Sequence, residues 1–299
     1  MKAEKSVETR TKTIERIIAP PPVHWVGDGF RVHGFFPYHR LGDQRMSPFY
    51  LLDYNAPFEF KPSEKLLGVG PHPHRGFETV TIAYKGKVAH HDSRGGGGVI
   101  GEGDVQWMTA GSGLLHKEYH EEEFNKKGGV FHMVQLWVNL PAKDKMTDPR
   151  YQAITNSEMG RYELPDDGGH VEIIAGEFGG VKGPAKTFSP VNLFNIKPKN
   201  GTSLDLDLPE NFTTAILVIE GQVKINGSEI APADHFVLFN NDGENISIEA
   251  EKDSVLLVMS GEPLNEPIAA YGPFLMNTRD EIRQAAEDFQ SGKFGYLED

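Results

Sequence analysis

Cysteine is absent from the 299 residues, which excludes a disulfide framework, a thiolate nucleophile and any zinc–thiolate site. Basic side chains are in deficit: 30 Lys and Arg face 43 Asp and Glu, a formal charge of −13 with histidine neutral. So acidic a chain does not take a nucleic-acid backbone as its main partner. Long apolar runs are missing too. Stretches such as Ala215–Ile219 and Val255–Met259 fall far short of the roughly 20 residues that span a bilayer, so no membrane partner is expected. Residues 1–17 are charged throughout and lack the apolar core of a secretory signal. A cytoplasmic protein is the expectation, with a nuclear one left open. Gly95–Gly98 is followed by no GK[ST], no GxGxxG opens a helix, and no GxSxG occurs. Phosphate-loop and serine-hydrolase readings therefore have no support.

What is present points to an all-β protein. Hydrophobic residues make up 38% and aromatics 10%, enough for a full-sized core. At roughly 100–200 residues per domain, the length suggests two domains. The 33 glycines and 20 prolines are spread along the chain between short β-rich runs, as in all-β architectures. Val130–Val138 (VFHMVQLWV) is apolar at both parities, the mark of a strand packed between layers. Gly29–Phe36, Phe49–Tyr54, Phe77–Tyr84, Val191–Ile196, Ala215–Ile219 and Ser254–Met259 read as further strands. The polar stretch Pro141–Met159 reads as an interdomain linker. Asn-Gly pairs at 200–201 and 226–227 are turn signals in a second β-domain. Two domains of similar size suggest duplication, although no residue-level repeat is visible. One helix is predicted: Thr278 and Glu281 form a capping box, Ile282, Ala285, Ala286 and Phe289 form one apolar face, and Gly292 is the stop.

Histidine is unevenly placed. Of twelve, seven lie between His72 and His132. In a strand, residues i and i+2 share a face, so His72-Pro73-His74 would place two imidazoles side by side. His116-Lys117-Glu118 repeats the spacing. If the two segments are neighbouring strands facing one cavity, three imidazoles and a carboxylate converge. That sulfur-free set suits Fe(II), Mn(II), Ni(II), Cu(II) or Zn(II), and four protein ligands on an octahedral ion leave two cis positions open. The competing reading makes His72 and His74 turn residues beside Pro71 and Pro73, with Glu118 on a solvated face. His90 and His91, ahead of a glycine run, read as solvated loop residues, and Glu118–Glu123 as a solvated turn. His132 alternates with buried positions and reads as a core or supporting group. Gln106, Trp107 and Met108 are candidates for a cavity mouth, with Trp107 also readable as core.

PHPHRGFETVT at 71–81 and GDVQWMTAGSGLLHKE at 103–118 resemble the two signature blocks of pirins, a branch of the cupin superfamily. QLWVNLP at 135–141, PRYQ at 149–152 and GPFLMNTRDEIRQAAEDFQSGKFG at 272–295 extend the likeness. The resemblance implies a bicupin: two double-stranded β-helix (jelly-roll) barrels facing each other, with a C-terminal helix. The implied domains are a metal-binding N-terminal cupin at 1–141, a linker at 142–165, a C-terminal cupin without metal at 166–262, and a helical segment at 263–299 packing on the barrels. It places one divalent first-row metal on His72, His74, His116 and Glu118, with Fe(II) the first choice and Mn, Ni, Cu or Zn the others. Glu78, at the wider cupin spacing from His74, is the reserve carboxylate.

The activity implied is that of a quercetin 2,3-dioxygenase, opening the central ring of a flavonol with O2 and releasing CO, with Glu118 as the group that takes a proton. The alternative is a non-catalytic, metal-dependent regulator that binds a transcription factor or metabolic enzyme. A third option is another small-molecule cupin reaction such as isomerisation, since the barrel alone does not select the chemistry.

Overall fold

The computed structural model describes residues 10–37, 41–42 and 44–298. The charged N-terminal stretch as far as residue 9 lies outside them. The chain divides into two compact units, and each is a jelly-roll barrel built from a seven-stranded and a four-stranded antiparallel sheet.

In the first barrel the large sheet runs Arg150–Ile154, Val105–Thr109, Phe77–Lys85, Gly129–Asn139, Phe49–Phe60, Phe30–Phe36, Val23–Val26. The small sheet runs Gly68–His74, Leu114–His120, Val88–Asp92, Gly97–Ile100. Gly129–Asn139 is central because its sequence is apolar at both parities: one parity faces the barrel interior and the other the outer layer. The second barrel repeats the plan. Its large sheet runs Ile14–Ile18, Phe236–Phe239, Thr213–Glu220, Val255–Gly261, Val191–Pro198, Gly169–Ala175, Gly160–Glu163. Its small sheet runs Ser203–Asp207, Asn245–Ala250, Gln222–Ile225, Glu229–Pro232. Asn226 and Gly227 both take positive φ, 51° and 73°, at the hairpin that joins the last two of those hairpin strands; this is the conformation that Asn-Gly favours.

The unit boundaries depart from the expected division in three places. Ile14–Ile18 pairs with Phe236–Phe239 and so belongs to the second barrel. The expected linker supplies an edge strand to each barrel: Arg150–Ile154 pairs with Val105–Thr109, and Gly160–Glu163 pairs with Gly169–Ala175. Tyr151, packed against Met108, Ala110 and Leu114, and the buried Ile154 seat the first of these on the sheet despite its polar flanks. Finally, residues 264 onward group with the first barrel.

That last segment is held by a buried ion pair. Arg75 reaches Asp288 of the helix Arg279–Gln290 at 2.9 Å, donates to the Ser112 carbonyl at 2.7 Å, and lies over the Phe294 ring. The Thr278–Glu281 capping box is formed. The expected apolar face is modified: Ala285 is fully buried, whereas Phe289 is 40% exposed and Asp288 is buried in its place, because Arg75 and Lys293 both bind its carboxylate. Phe294 packs where Gly113 has φ 122°; a Cβ there would meet the ring at 2.4 Å. Among the described residues, no helix is long and apolar enough to cross a membrane.

Candidate metal centre

His72 and His116 are direct cross-strand partners, and Leu114 pairs with His74. The register shifts between His116 and Glu118, a bulge of the kind that re-aims side chains beside functional sites. Glu118 is also the partner of His90 on the strand Val88–Asp92. The rings of His72, His74 and His116 lie 4.2 to 4.8 Å apart by centroid. One nitrogen from each lies within 4.8 Å of the others, and His90, His116 and Glu118 meet the same measure. The two groups share His116. Both segments are neighbouring strands; the three histidines form one group, while Glu118 meets His116 and His90 in the other.

The donor set fits a metal ion. The Nδ1 atoms of His72 and His74 are engaged by the carbonyls of Gly70 and Pro273, at 2.9 and 3.4 Å. Such bonds fix the tautomer and leave Nε2 as the ligand atom. His116 Nε2 is buried and has no protein partner. Burial, with His72 close by, drives the His74 and His116 pKa values well below the ordinary 6.5, and burial lowers His72 as well. Neutral imidazoles with free lone pairs are what a divalent ion requires. Burial pushes Glu118 up to about 7, against a weak hydrogen bond from Thr81.

Glu78 stands apart from both groups. It accepts from Thr109 at 2.6 Å and sits 3.8 Å from Arg150, so its carboxylate is already committed within the large sheet.

His90 departs from its expected reading. It is fully buried on the strand Val88–Asp92, whereas His91 beside it is exposed, as strand alternation dictates. Its Nδ1 lies 3.0 Å from Gln106 Nε2 and 3.3 Å from His116 Nδ1. With the Gln106 amide so assigned, His90 Nδ1 accepts from Gln106 Nε2. Burial takes the His90 pKa down to about 3. Glu118–Glu123 is likewise not one solvated turn: Glu118 is buried, and Glu121 caps the short helix Glu122–Lys127. His132 is a core residue whose Nε2 meets the Tyr54 hydroxyl at 3.0 Å. Trp107 and Met108 are wholly buried and line no cavity mouth.

A cavity of about 400 Å³ opens on the histidines. Val26, Phe30, Val32, Leu51, Met133 and Trp137 form its apolar wall, while Asp53, Asn55, Gln135, His72, His74 and Glu118 supply the polar groups. Across the large sheet, Asp53, Gln135, Thr81 and Gln106 are consecutive register partners. This polar row crosses an otherwise apolar interior. Thr81 Oγ1 donates to Gln135 at 2.6 Å, and Gln106 ends the row at His90. Sequence reading missed Asp53, Asn55, Thr81 and Gln135, because isolated polar residues in apolar strands carry no spacing signal. Their shared odd or matched parity within the paired strands was the only clue.

Two family models match the chain: Pirin over residues 29–138 and the Pirin C-terminal cupin domain over residues 193–295. A Pseudomonas aeruginosa protein provisionally named a quercetin 2,3-dioxygenase is 53% identical over 271 residues, 91% of this chain and 94% of that one. Human pirin is 37% identical over 258 residues, covering 85% and 84%. A crystal structure titled quercetin 2,3-dioxygenase from Acinetobacter baumannii superposes with a TM-score of 0.91 at 50% identity, covering 97% of this chain and all of that one.

Proposed function

This chain belongs to the pirin family, and from that premise we propose that it is a metal-dependent dioxygenase that opens the central ring of a flavonol such as quercetin with O2 and releases CO. The observation that supports the reading is a pair of donor groups, His72–His74–His116 and His90–His116–Glu118, that share His116 beside a cavity with an apolar wall. His72, His74, His116 and Glu118 would hold the ion: Fe(II) by preference, with Mn(II), Ni(II), Cu(II) and Zn(II) as the other candidates. When bound, the metal supplies Lewis acidity towards the substrate's 3-oxygen and electronic access to dioxygen.

The chain's own residues do the rest. Glu118, buried and lining the cavity, is placed to take the proton of the flavonol 3-hydroxyl on a carboxylate oxygen that it does not give to the ion. Trp137, Phe30 and Met133 offer flat and adaptable apolar surface to a planar ring and exclude water from it. Holding an electron-rich enolate and dioxygen in one dry pocket supplies proximity. The volume falls in the ordinary range for small-molecule sites, roughly 300–1,000 Å³.

The test uses metal-stripped protein reloaded anaerobically with each of the five ions. Loss of quercetin's visible absorbance, with O2 uptake and CO release on admitting air, is the expected outcome, and His72→Ala and Glu118→Ala should abolish it. No O2 uptake and no CO with any ion would overturn the reading. One metal per chain without turnover would move the assignment to metal-dependent binding of a protein partner.

A further inference from the structure

Three buried polar atoms of cavity-lining residues have no protein partner: Asp53 Oδ1 and both amide atoms of Asn55. Asp53 is 8% exposed and Asn55 1%, and both side chains line the cavity. Leu51, Asp53 and Asn55 alternate along the strand Phe49–Phe60, so they share its inner face. Burying such groups unpaired costs stability, and the second barrel, with the same strand plan, fills its interior with apolar side chains. The polar pair is therefore not a requirement of the fold. Nor do these atoms belong to the metal centre. In the register row, Asp53 lies two strands from Thr81, the residue that reaches Glu118; two strand spacings are about 10 Å.

We propose that Asp53 and Asn55 form a hydroxyl-recognition subsite, which takes the phenolic hydroxyls of an aromatic ring held in the same cavity as the histidines. The inference rests on the flavonol reading and sharpens it: the preferred substrate is a polyhydroxylated flavonol, not the bare 3-hydroxyflavone skeleton. The chemistry matches. Asn55 offers two N–H donors and a carbonyl acceptor, and Asp53 an acceptor. Burial also pushes the Asp53 carboxyl up to about 7, so near neutrality it can donate as well. A site built to bond hydroxyls rejects the analogue that lacks them, because its own groups are then left unpaired.

The experiment uses Zn(II)-loaded protein under anaerobic conditions, so that bound ligand is not consumed. Quercetin and 3-hydroxyflavone are titrated calorimetrically against wild type, Asp53→Leu, Asn55→Leu and the milder Asp53→Asn. Wild type should bind quercetin roughly tenfold more tightly than 3-hydroxyflavone. Each leucine variant should narrow that preference to about twofold, with Zn(II) stoichiometry and 3-hydroxyflavone affinity retained. Asp53→Asn, which keeps an acceptor, should lie between. A preference that persists in the leucine variants, or is absent from wild type, overturns the proposal. If neither flavonol binds wild type, the flavonol reading fails, and catechol against its dimethyl ether, veratrole, judges the subsite alone. Catechol selected by wild type but not by the variants upholds it; catechol unselected or unbound overturns it.

Discussion

Across the large sheet of the second barrel, Ile173, Phe194, Val258, Ile216 and Val237 are consecutive register partners, all fully buried in one apolar cluster. Across the topologically matching strands of the first barrel, Gly34, Asp53, Gln135, Thr81 and Gln106 form the equivalent kind of row. The strand order is the same, yet one row is hydrocarbon and the other can make hydrogen bonds. The backbone plan does not require either filling. An apolar filling contributes about 1.5–3 kcal/mol for each fully buried aliphatic or aromatic side chain and leaves no room for a ligand. The polar filling forgoes part of that stability and gains a cavity and a hydrogen-bonded row that reaches His90 and Glu118.

The largest expected effect separates the barrels outright. His116→Ala should reduce metal content from one ion per chain to none, measured by elemental analysis after chelation and reloading. Retention of a full equivalent would show that the ion sits elsewhere. Next, Phe194→Ala should cost about 3–5 kcal/mol by cavity formation in the packed barrel, read by chemical denaturation, while leaving metal stoichiometry intact. Loss of metal in this variant would mean that the two barrels are not independent.

A pH experiment sharpens the contrast further. All three tryptophans, Trp25, Trp107 and Trp137, lie in the first barrel, so their emission reports that barrel alone. Burial, with Lys85 nearby, lowers the His132 pKa to about 3, against roughly 6.5 in the unfolded chain. Between those values the unfolded state binds the extra proton, so the stability contributed by neutral His132 is complete above about 6.5 and is lost as the pH falls towards 3. His132→Gln should flatten the acid side of the metal-free unfolding profile by up to about 1.4 kcal/mol per pH unit. An unchanged profile would place the acid lability on other groups. The smallest effect tests where the terminal helix belongs. Thr278→Ala removes the cap and should cost about 1 kcal/mol, seen in the tryptophan-reported transition only.

The closeness of His72, His74 and His116 was legible in the sequence because its information is local. Two i, i+2 pairs fix which side chains share a face, and the strand pairing needed to join them follows from neighbouring runs of ordinary strand residues. The seven apolar runs read as strands all lie within observed strands to within a residue. His90 was misread because its neighbours, His91 and the glycine run, look like a loop; only the pairing of Glu118 with His90 shows that the strand continues. The exchange of Ile14–Ile18 and of residues 264 onward was illegible for a different reason. Each segment is amphipathic enough to dock on either barrel, and nothing in its own pattern says which one.

The terminal segment carries a consequence for biosynthesis. The strands of the first barrel have all been translated by Ile154, but Pro273, whose carbonyl engages His74, and Phe294, which seats against Gly113, come more than a hundred residues later. At about 5–20 residues per second, that delay is on the order of ten seconds. During it the nascent barrel has its histidine strand in place but lacks the carbonyl that orients one imidazole and the helix that anchors Arg75. The site is therefore completed by a segment made well after its histidine strands.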